Sequence, residues 1–236
     1  MKTANLAVVF GALSATMVGA SGYAADKPPT VVELFTSEGC NSCPPADAFL
    51  GDLVKRTDVL ALSYHVDYWD YLGWKDTWAS KELTDRQRAY GRSLGSRYVY
   101  TPQMVIGGTI DVVGSDRGAV EGGIERAPRG DVSMNVARGA DGRLWIDLPA
   151  AAKHAEAALW LVKFDQEHSV AIERGENAGH TLIYYNVVRD IHRIGTWNGA
   201  AEKIAVDPAS LAGADHAAVL LQADGEGKIL AAQKLP

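Results

Sequence analysis

The sequence predicts an α/β domain followed by a smaller antiparallel β-sandwich, and three observations carry that prediction. Near the N-terminus, apolar runs of strand length flank a segment with helical spacing. Two adjacent glycines, Gly107 and Gly108, separate two short β-branched runs, as in a hairpin. Beyond about residue 130, alternation with a period of two replaces helical spacing. The 236 residues are 47% hydrophobic and 22% charged, which supplies a core and excludes disorder, collagen and coiled coil. A formal charge of −6 gives none of the basic footprint that nucleic-acid binding requires.

Met1-Lys2 precedes an uncharged apolar run from Leu6 to Val18 and then small residues, with Gly22-Tyr23-Ala24 meeting the small-x-small rule for cleavage. Residues 1–25 are therefore expected to be a signal peptide. The run is shorter than the ~20 residues a spanning helix needs, so the expected product is periplasmic or secreted, with no stable membrane insertion after cleavage. Val31–Phe35 reads as a strand, and Pro44–Val54 as a helix with Ala46, Phe49, Leu50 and Leu53 on one face. Val59–Tyr64 is a second strand, and its spacing after the helix fits a right-handed βαβ unit with parallel strands. Residues 65–100 form a polar and aromatic insert with at least one helix, for which Thr84-x-x-Gln87 offers a capping box and Leu83, Tyr90 and Leu94 an apolar face. Met104–Ile106 and Thr109–Val113 form the hairpin, and a short helix follows through Ala119, Val120 and Ile124. Alternating Val132, Met134, Val136 and Leu144, Ile146, Leu148 begin the sandwich, which continues through runs at 157–164, 181–188, 217–222 and 229–234. The expected boundary lies near Arg129-Gly130, giving domains 26–129 and 130–236.

Gly39-Cys40-Asn41-Ser42-Cys43-Pro44-Pro45 ends a strand and opens a helix, which puts Cys40 at the helix N-terminus. Unpaired N–H groups and the positive end of the macrodipole favour a thiolate there, and two intervening residues let one turn close a disulfide. Nearby Glu38 opposes that activation by charge repulsion. Three readings of the pair stand side by side: a redox dithiol, a structural disulfide and a metal site, the last needing ligands that no second cysteine pair supplies. Thr101-Pro102 starts a strand of the hairpin, and a cis proline there turns the backbone towards the cysteines, whereas a trans proline at a strand start is common.

The helix-opening Cys-x-x-Cys and the later Thr101-Pro102-Gln103-Met104-Val105-Ile106-Gly107-Gly108 resemble motifs of the thioredoxin superfamily. With Val32–Cys40, His65-Val66-Asp67-Tyr68-Trp69-Asp70 and Gly73-Trp74-Lys75-Asp76, nearly the whole mature chain resembles the secreted bacterial family called domain of unknown function 1223 (DUF1223). The resemblance implies a thioredoxin-like domain with a helical insert, Cys40 as the exposed attacking thiol, Cys43 as the resolving thiol and Pro102 as the cis proline. It brings no known substrate. The chain departs from ordinary thioredoxins in lacking a tryptophan before Cys40, in the dipeptide Asn41-Ser42 and in the added C-terminal β domain.

The aromatic insert from Tyr64 to Trp78 reads either as a wall receiving a substrate, with His65 or Asp67 assisting proton transfer and Trp69 in contact, or as a satellite core with polar handles. Glu33, a carboxylate in an apolar strand, is either a buried proton acceptor below the disulfide or solvent-facing. His168, His180, His192 and His216 lack metal-ligand spacing. The functional expectation is an exported thiol-disulfide oxidoreductase acting on cysteine-containing proteins or small thiols without an organic cofactor. The alternatives are a periplasmic copper metallochaperone using Cys40, Cys43 and His65, and a non-catalytic interaction protein.

Overall fold

The computed structural model describes residues 28–236 apart from 152 and 155, so the expected signal segment lies outside the described residues. Strands β1 (Thr30–Thr36) and β2 (Val59–His65) are buried at every position and pair in parallel, as their unbroken apolar character requires. Helix α1 (Pro44–Leu53) makes the crossover between them. β3 (Gln103–Ile106) lies antiparallel to β1 and turns into β4 (Ile110–Val113). Gly107 and Gly108 occupy left-handed backbone at φ +59° and +73°. A Cβ at Gly108 would stand 2.3 Å from the carbonyl oxygen of Gly227, so both conformation and space demand glycine. α3 (Arg117–Arg126) follows, capped by Asp116, whose carboxylate accepts from the amide of Ala119.

Between β2 and β3 runs α2 (Lys81–Ser93), and its start corrects the expected capping box. Ser80, in extended backbone, accepts from the amide of Leu83 and is the true N-cap. Thr84 and Gln87 lie inside the helix with tertiary partners. The Thr84 hydroxyl donates to Asp67, and the Gln87 amide donates to the Tyr100 carbonyl and to Gln103. Leu83 and Tyr90 face the core as the apolar spacing predicts.

The C-terminal half contributes β5 (Asn135–Arg138), β6 (Leu144–Leu148), β7 (Ala157–Ala171), β8 (Thr181–Trp197), β9 (Glu202–Val206), β10 (His216–Ala223) and β11 (Ile229–Lys234). β7 and β8 are about twice the length read from the sequence. They form one antiparallel ribbon whose register shifts after Leu159 and after Lys163. β9 has no counterpart in the sequence reading, because Glu202-Lys203 obscure its alternation. An eight-stranded sheet runs β11-β10-β7-β8-β2-β1-β3-β4, and a three-stranded one β5-β6-β9. The larger sheet therefore carries strands from both sides of position 130. β8 meets β2 at a single register pair, Ser63 with Val187, and the Asn186 side chain donates to the Ala61 carbonyl at 2.8 Å beside it.

Apolar side chains collect in three clusters. Val32 and Leu34 of β1 pack with Phe49, Leu50 and Leu53 of α1 and with Val120 and Ile124 of α3. On the opposite face, Val31 and Phe35 pack with Leu83 and Tyr90 of α2. The third cluster lies between the two sheets, where Leu144, Ile146 and Leu148 meet Leu159, Leu161, Val219 and Leu221. These faces hold the loop after β1 between α1, β2 and the β7–β8 ribbon.

Candidate functional site

After β1 the chain makes two linked turns. The amide of Cys40 donates to the Ser37 carbonyl at 3.1 Å, and that of Cys43 to the Cys40 carbonyl at 3.2 Å. Pro44 and Pro45 then open α1, where a missing N–H costs nothing, so the residue before them, Cys43, takes the N-cap. Cys40 and Cys43 are joined in a disulfide with a Cα–Cα distance of 5.4 Å. The expectation that Cys40 holds the helix terminus and faces solvent is corrected here: Cys40 is 1% and Cys43 0% exposed.

Three neighbours crowd the Cys40 sulfur. The Thr101–Pro102 peptide bond is cis, and the Thr101 hydroxyl stands 3.2 Å from Cys40 Sγ. The Trp69 indole N–H donates to the same hydroxyl oxygen at 2.8 Å. Ser42 Oγ lies 3.4 Å from Cys40 Sγ. A Cβ at Gly39 would stand 3.1 Å from Cβ of Trp69, so the absence of a side chain at 39 admits the tryptophan. Tyr71 stacks on Trp69 at 6.4 Å between ring centroids and is 77% exposed, an aromatic step from solvent to the site. From the C-terminal half, Asn177 Nδ2 donates to the carbonyls of Glu38 at 2.8 Å and Cys40 at 3.0 Å.

A cluster of buried ionisable groups adjoins the same loop. Asp76 accepts from His65 Nδ1 at 2.9 Å, from the Glu38 amide at 2.7 Å, and from the amides of Trp78 and Ala79. Burial pushes the Asp76 carboxyl up, but the charge and hydrogen bond of His65 and the backbone amides outweigh it and hold it below the usual carboxylate range. Burial pulls His65 down, and Asp76, then Asp47 and Glu38, more than restore it, leaving it raised. Glu38 accepts from the Trp74 indole and is raised by burial and by the Asp76 charge. Asp47, on the first turn of α1, is pushed up to about 7, chiefly by burial. Tyr184 of β8 packs edge-on to the His65 ring at 4.6 Å, and burial raises it as well. Both Asp47 oxygens, Glu38 Oε1, His65 Nε2 and the Tyr184 hydroxyl have no hydrogen-bond partner among the described residues.

Glu38, His65 and Asp76 offer ligand atoms within 4.8 Å of one another. The Asp76 oxygens are already committed to four protein donors, three of them backbone amides, so the donor set fits an ion pair in an amide nest better than a cation. Because His65 Nδ1 is spent on Asp76, only Nε2 is free for the copper arrangement with the cysteines.

The structure thus brings Cys40, Cys43, Pro102 and Trp69 together, with His65 in the adjoining acid cluster. It does not bring Glu33 or Asp67 into that group. Glu33 is buried, but it pairs with Arg86 at 2.7 Å and accepts from the Tyr90 hydroxyl on the α2 face of the sheet. Asp67 receives the Thr84 hydroxyl at 2.7 Å and anchors α2. Sequence reasoning missed Asp47, Tyr184 and Asn177. For Asp47 a signal existed, since it stands one turn before Leu50 on the apolar side of α1.

A family model described as a protein of unknown function, DUF1223, matches residues 31–222. The crystal structure of protein AGR_C_4864 from Agrobacterium tumefaciens is 36% identical in sequence, with 90% of this chain and 96% of that one covered and a TM-score of 0.76. HBP35 of Porphyromonas gingivalis is 15% identical, with 89% of this chain and 75% of that one covered and a TM-score of 0.56, a likeness of fold alone. No curated protein matches the chain.

Proposed function

The chain belongs to the DUF1223 family, and we propose that it is an exported thiol-disulfide oxidoreductase whose thioredoxin-like half carries Cys40 and Cys43 as the reacting pair. The observation that carries this reading is the Thr101 hydroxyl 3.2 Å from Cys40 Sγ, on the residue that precedes Pro102. A hydroxyl there donates to a Cys40 thiolate and lowers the cost of forming one, by more than it stabilises a neutral sulfur.

A thiolate of the substrate attacks Cys40 Sγ, the bond to Cys43 breaks, and Cys43 leaves with the electron pair. The proton that the leaving sulfur takes is assigned to Asp47, whose amide donates to the Cys43 carbonyl one turn along α1 and whose carboxyl burial pushes up to about 7. A second substrate thiolate then attacks the substrate sulfur of the mixed disulfide and releases Cys40. The substrate loses two electrons and becomes a disulfide, and the protein gains them as a dithiol. Running the same steps backwards reduces a substrate disulfide. The expected substrates are cysteine-containing proteins or small thiols, and the stacked Trp69 and Tyr71 offer them a docking step.

The burial of both cysteines favours a second reading, a structural cross-link. Its magnitude argues against it. A bridge closing so short a loop restrains the unfolded chain by roughly 2 kcal/mol, the low end of what disulfides contribute.

Replacement of each cysteine by serine separates the readings. On the proposed chemistry, Cys43→Ser accumulates mixed disulfides with periplasmic proteins or glutathione and Cys40→Ser does not, as read by mass spectrometry of non-reduced samples. Equal destabilisation without adducts identifies a structural bridge and refutes the proposal. Loss of stoichiometric Cu(I) retention in both variants and in His65→Ala identifies a copper protein instead.

A further inference from the structure

The Cys40 loop is closed by a residue from the other half of the chain. Asn177 sits in the loop joining β7 to β8 and is 5% exposed. Its amide nitrogen donates to the carbonyls of Glu38 and Cys40 at 2.8 and 3.0 Å, across 139 and 137 residues of sequence. Those two carbonyls belong to consecutive turns. The Cys40 carbonyl also accepts the Cys43 amide, so the Asn177 nitrogen braces the turn that brings the two sulfurs into bonding distance.

The loop is built to present that nitrogen. Ile172 exchanges hydrogen bonds with His180 and Gly179, the His180 amide returns to the Asn177 carbonyl, and Gly175 and Gly179 adopt left-handed backbone. Gly175 also lies against Trp74, whose indole donates to Glu38, so the same loop touches the Cys40 loop through a second route. With Thr101, Ser42 and Trp69 beside the sulfur, this loop closes the backbone side of Cys40.

We infer that Asn177 is a positioning residue that holds the disulfide closed and covered, and that the 172–180 loop must release the Glu38 and Cys40 carbonyls before a thiol reaches Cys40. The inference rests on the oxidoreductase reading for its purpose, but the clamp itself is tested without it. Reduction separates two sulfurs that had shared a bond. The Cys40–Cys43 turn then widens, and a brace fitted to the closed turn loses its two acceptors together. The loop should accordingly favour the oxidised state and slow attack on it.

The probe is dithiothreitol. One thiolate attacks Cys40 Sγ and expels Cys43 as a thiolate that takes a proton. The second thiolate then closes the oxidised reagent into a cyclic disulfide, and the protein keeps two electrons as two thiols. Asn177→Asp is nearly isosteric, but its carboxylate points acceptors at two carbonyls. Asn177→Ala removes the donor without repulsion. Both are expected to be reduced about tenfold faster than the wild type at pH 7, the scale of one to two neutral hydrogen bonds. Rates equal to the wild type, in variants whose near-ultraviolet circular dichroism is native, overturn the inference. A change in urea midpoint with no change in rate also overturns it, since that is what a purely structural residue gives.

Hydrogen exchange of the unmodified protein guards against variants that misfold. Reduction should raise exchange in peptides covering 37–43 and 172–180 together, and a rise confined to 37–43 refutes the coupling. Failure of the oxidoreductase reading looks different. In that case the variants and the exchange behave as described, while the wild type neither reduces nor oxidises any protein or small-thiol substrate.

Discussion

Replacing Asp47 by asparagine tests the buried acid cluster directly, because the expected effect has both a size and a pH signature. The carboxyl moves from an ordinary 3.8 to about 7 on folding, chiefly through burial. Neither oxygen has a hydrogen-bond partner within bonding geometry among the described residues, and the lowering effects of the His65 charge and the nearby Thr36 hydroxyl fall short of the burial cost. In the unfolded chain the group ionises near 3.8, whereas in the folded protein it stays protonated up to about 7. The folded state therefore binds more protons across that window, and stability falls as pH rises through it. At 1.36 kcal/mol per unit, the wild type loses about 4 kcal/mol between pH 4 and pH 7 from this one group, with little further change above.

Asparagine has no charge to bury, and its amide offers both a donor and an acceptor to the unpartnered polar atoms of the cluster, His65 Nε2 and the Tyr184 hydroxyl. Asp47→Asn should therefore match the wild type near pH 4 and exceed its stability by about 4 kcal/mol at pH 8. Urea unfolding of the oxidised proteins at intervals from pH 4 to 8 gives the difference curve, in which the other carboxylates largely cancel. A difference that stays flat with pH refutes the argument that Asp47 is buried and unpartnered. The sign is opposite to that of Asp76, whose carboxyl is held low and whose contribution is lost as pH falls.

Two further outcomes follow from the same geometry. Thr101→Val removes the hydroxyl beside Cys40 Sγ, so in the reduced protein the midpoint of the pH–rate profile for Cys40 alkylation by iodoacetamide should rise by about one unit, the scale of a hydrogen bond to a charged group. An unchanged midpoint would detach Thr101 from the sulfur. Arg86→Met strips the cation from buried Glu33 and should cost about 3–5 kcal/mol in urea unfolding while leaving the dithiothreitol reduction rate of the disulfide unaltered, since that pair lies on the other face of the sheet.

Much of the first half was legible because its signals are local. The apolar runs of β1 and β2, the α1 spacing and the Gly107-Gly108 turn each declare themselves within a dozen residues, and the single βαβ unit they form sets the parallel pairing. The start of α2 was not, since Thr84-x-x-Gln87 has the form of a capping box while both side chains are spent on Asp67, Tyr100 and Gln103. The ribbon of β7 and β8 outran its reading because the apolar alternation stops near Phe164, whereas pairing with the neighbouring strand continues to Ala171. At the site, Cys40, Cys43, Pro102 and Trp69 were marked by motifs. The burial of Cys40 was not, because the residues that close around it, Trp69, Thr101 and, 137 residues away, Asn177, come from segments distant in sequence. Asp47 was passed over although its place beside Leu50 marked the buried side of α1, because a carboxylate on a helix ordinarily faces water.

The acid cluster also explains why the C-terminal half belongs to any account of the disulfide. Tyr184 comes from β8 and Asn177 from the loop before it, while Glu38, Asp47, His65 and Asp76 come from the β1–α1–β2 unit and the segment after it. Buried groups without partners weaken a fold, and a core selected for stability alone would replace them with apolar side chains. Here burial raises Glu38 and pushes Asp47 up to about 7, and Asp76 raises His65, in groups clustered around one short loop. A disulfide that accepts two electrons also needs two protons, and a buried carboxyl such as Asp47, pushed up to about 7, is the kind of group such a reaction uses. A structural bridge has no use for them. The cost of the cluster is therefore intelligible if Cys40 and Cys43 open and close, with β8 and its loop supplying part of the environment in which they do so.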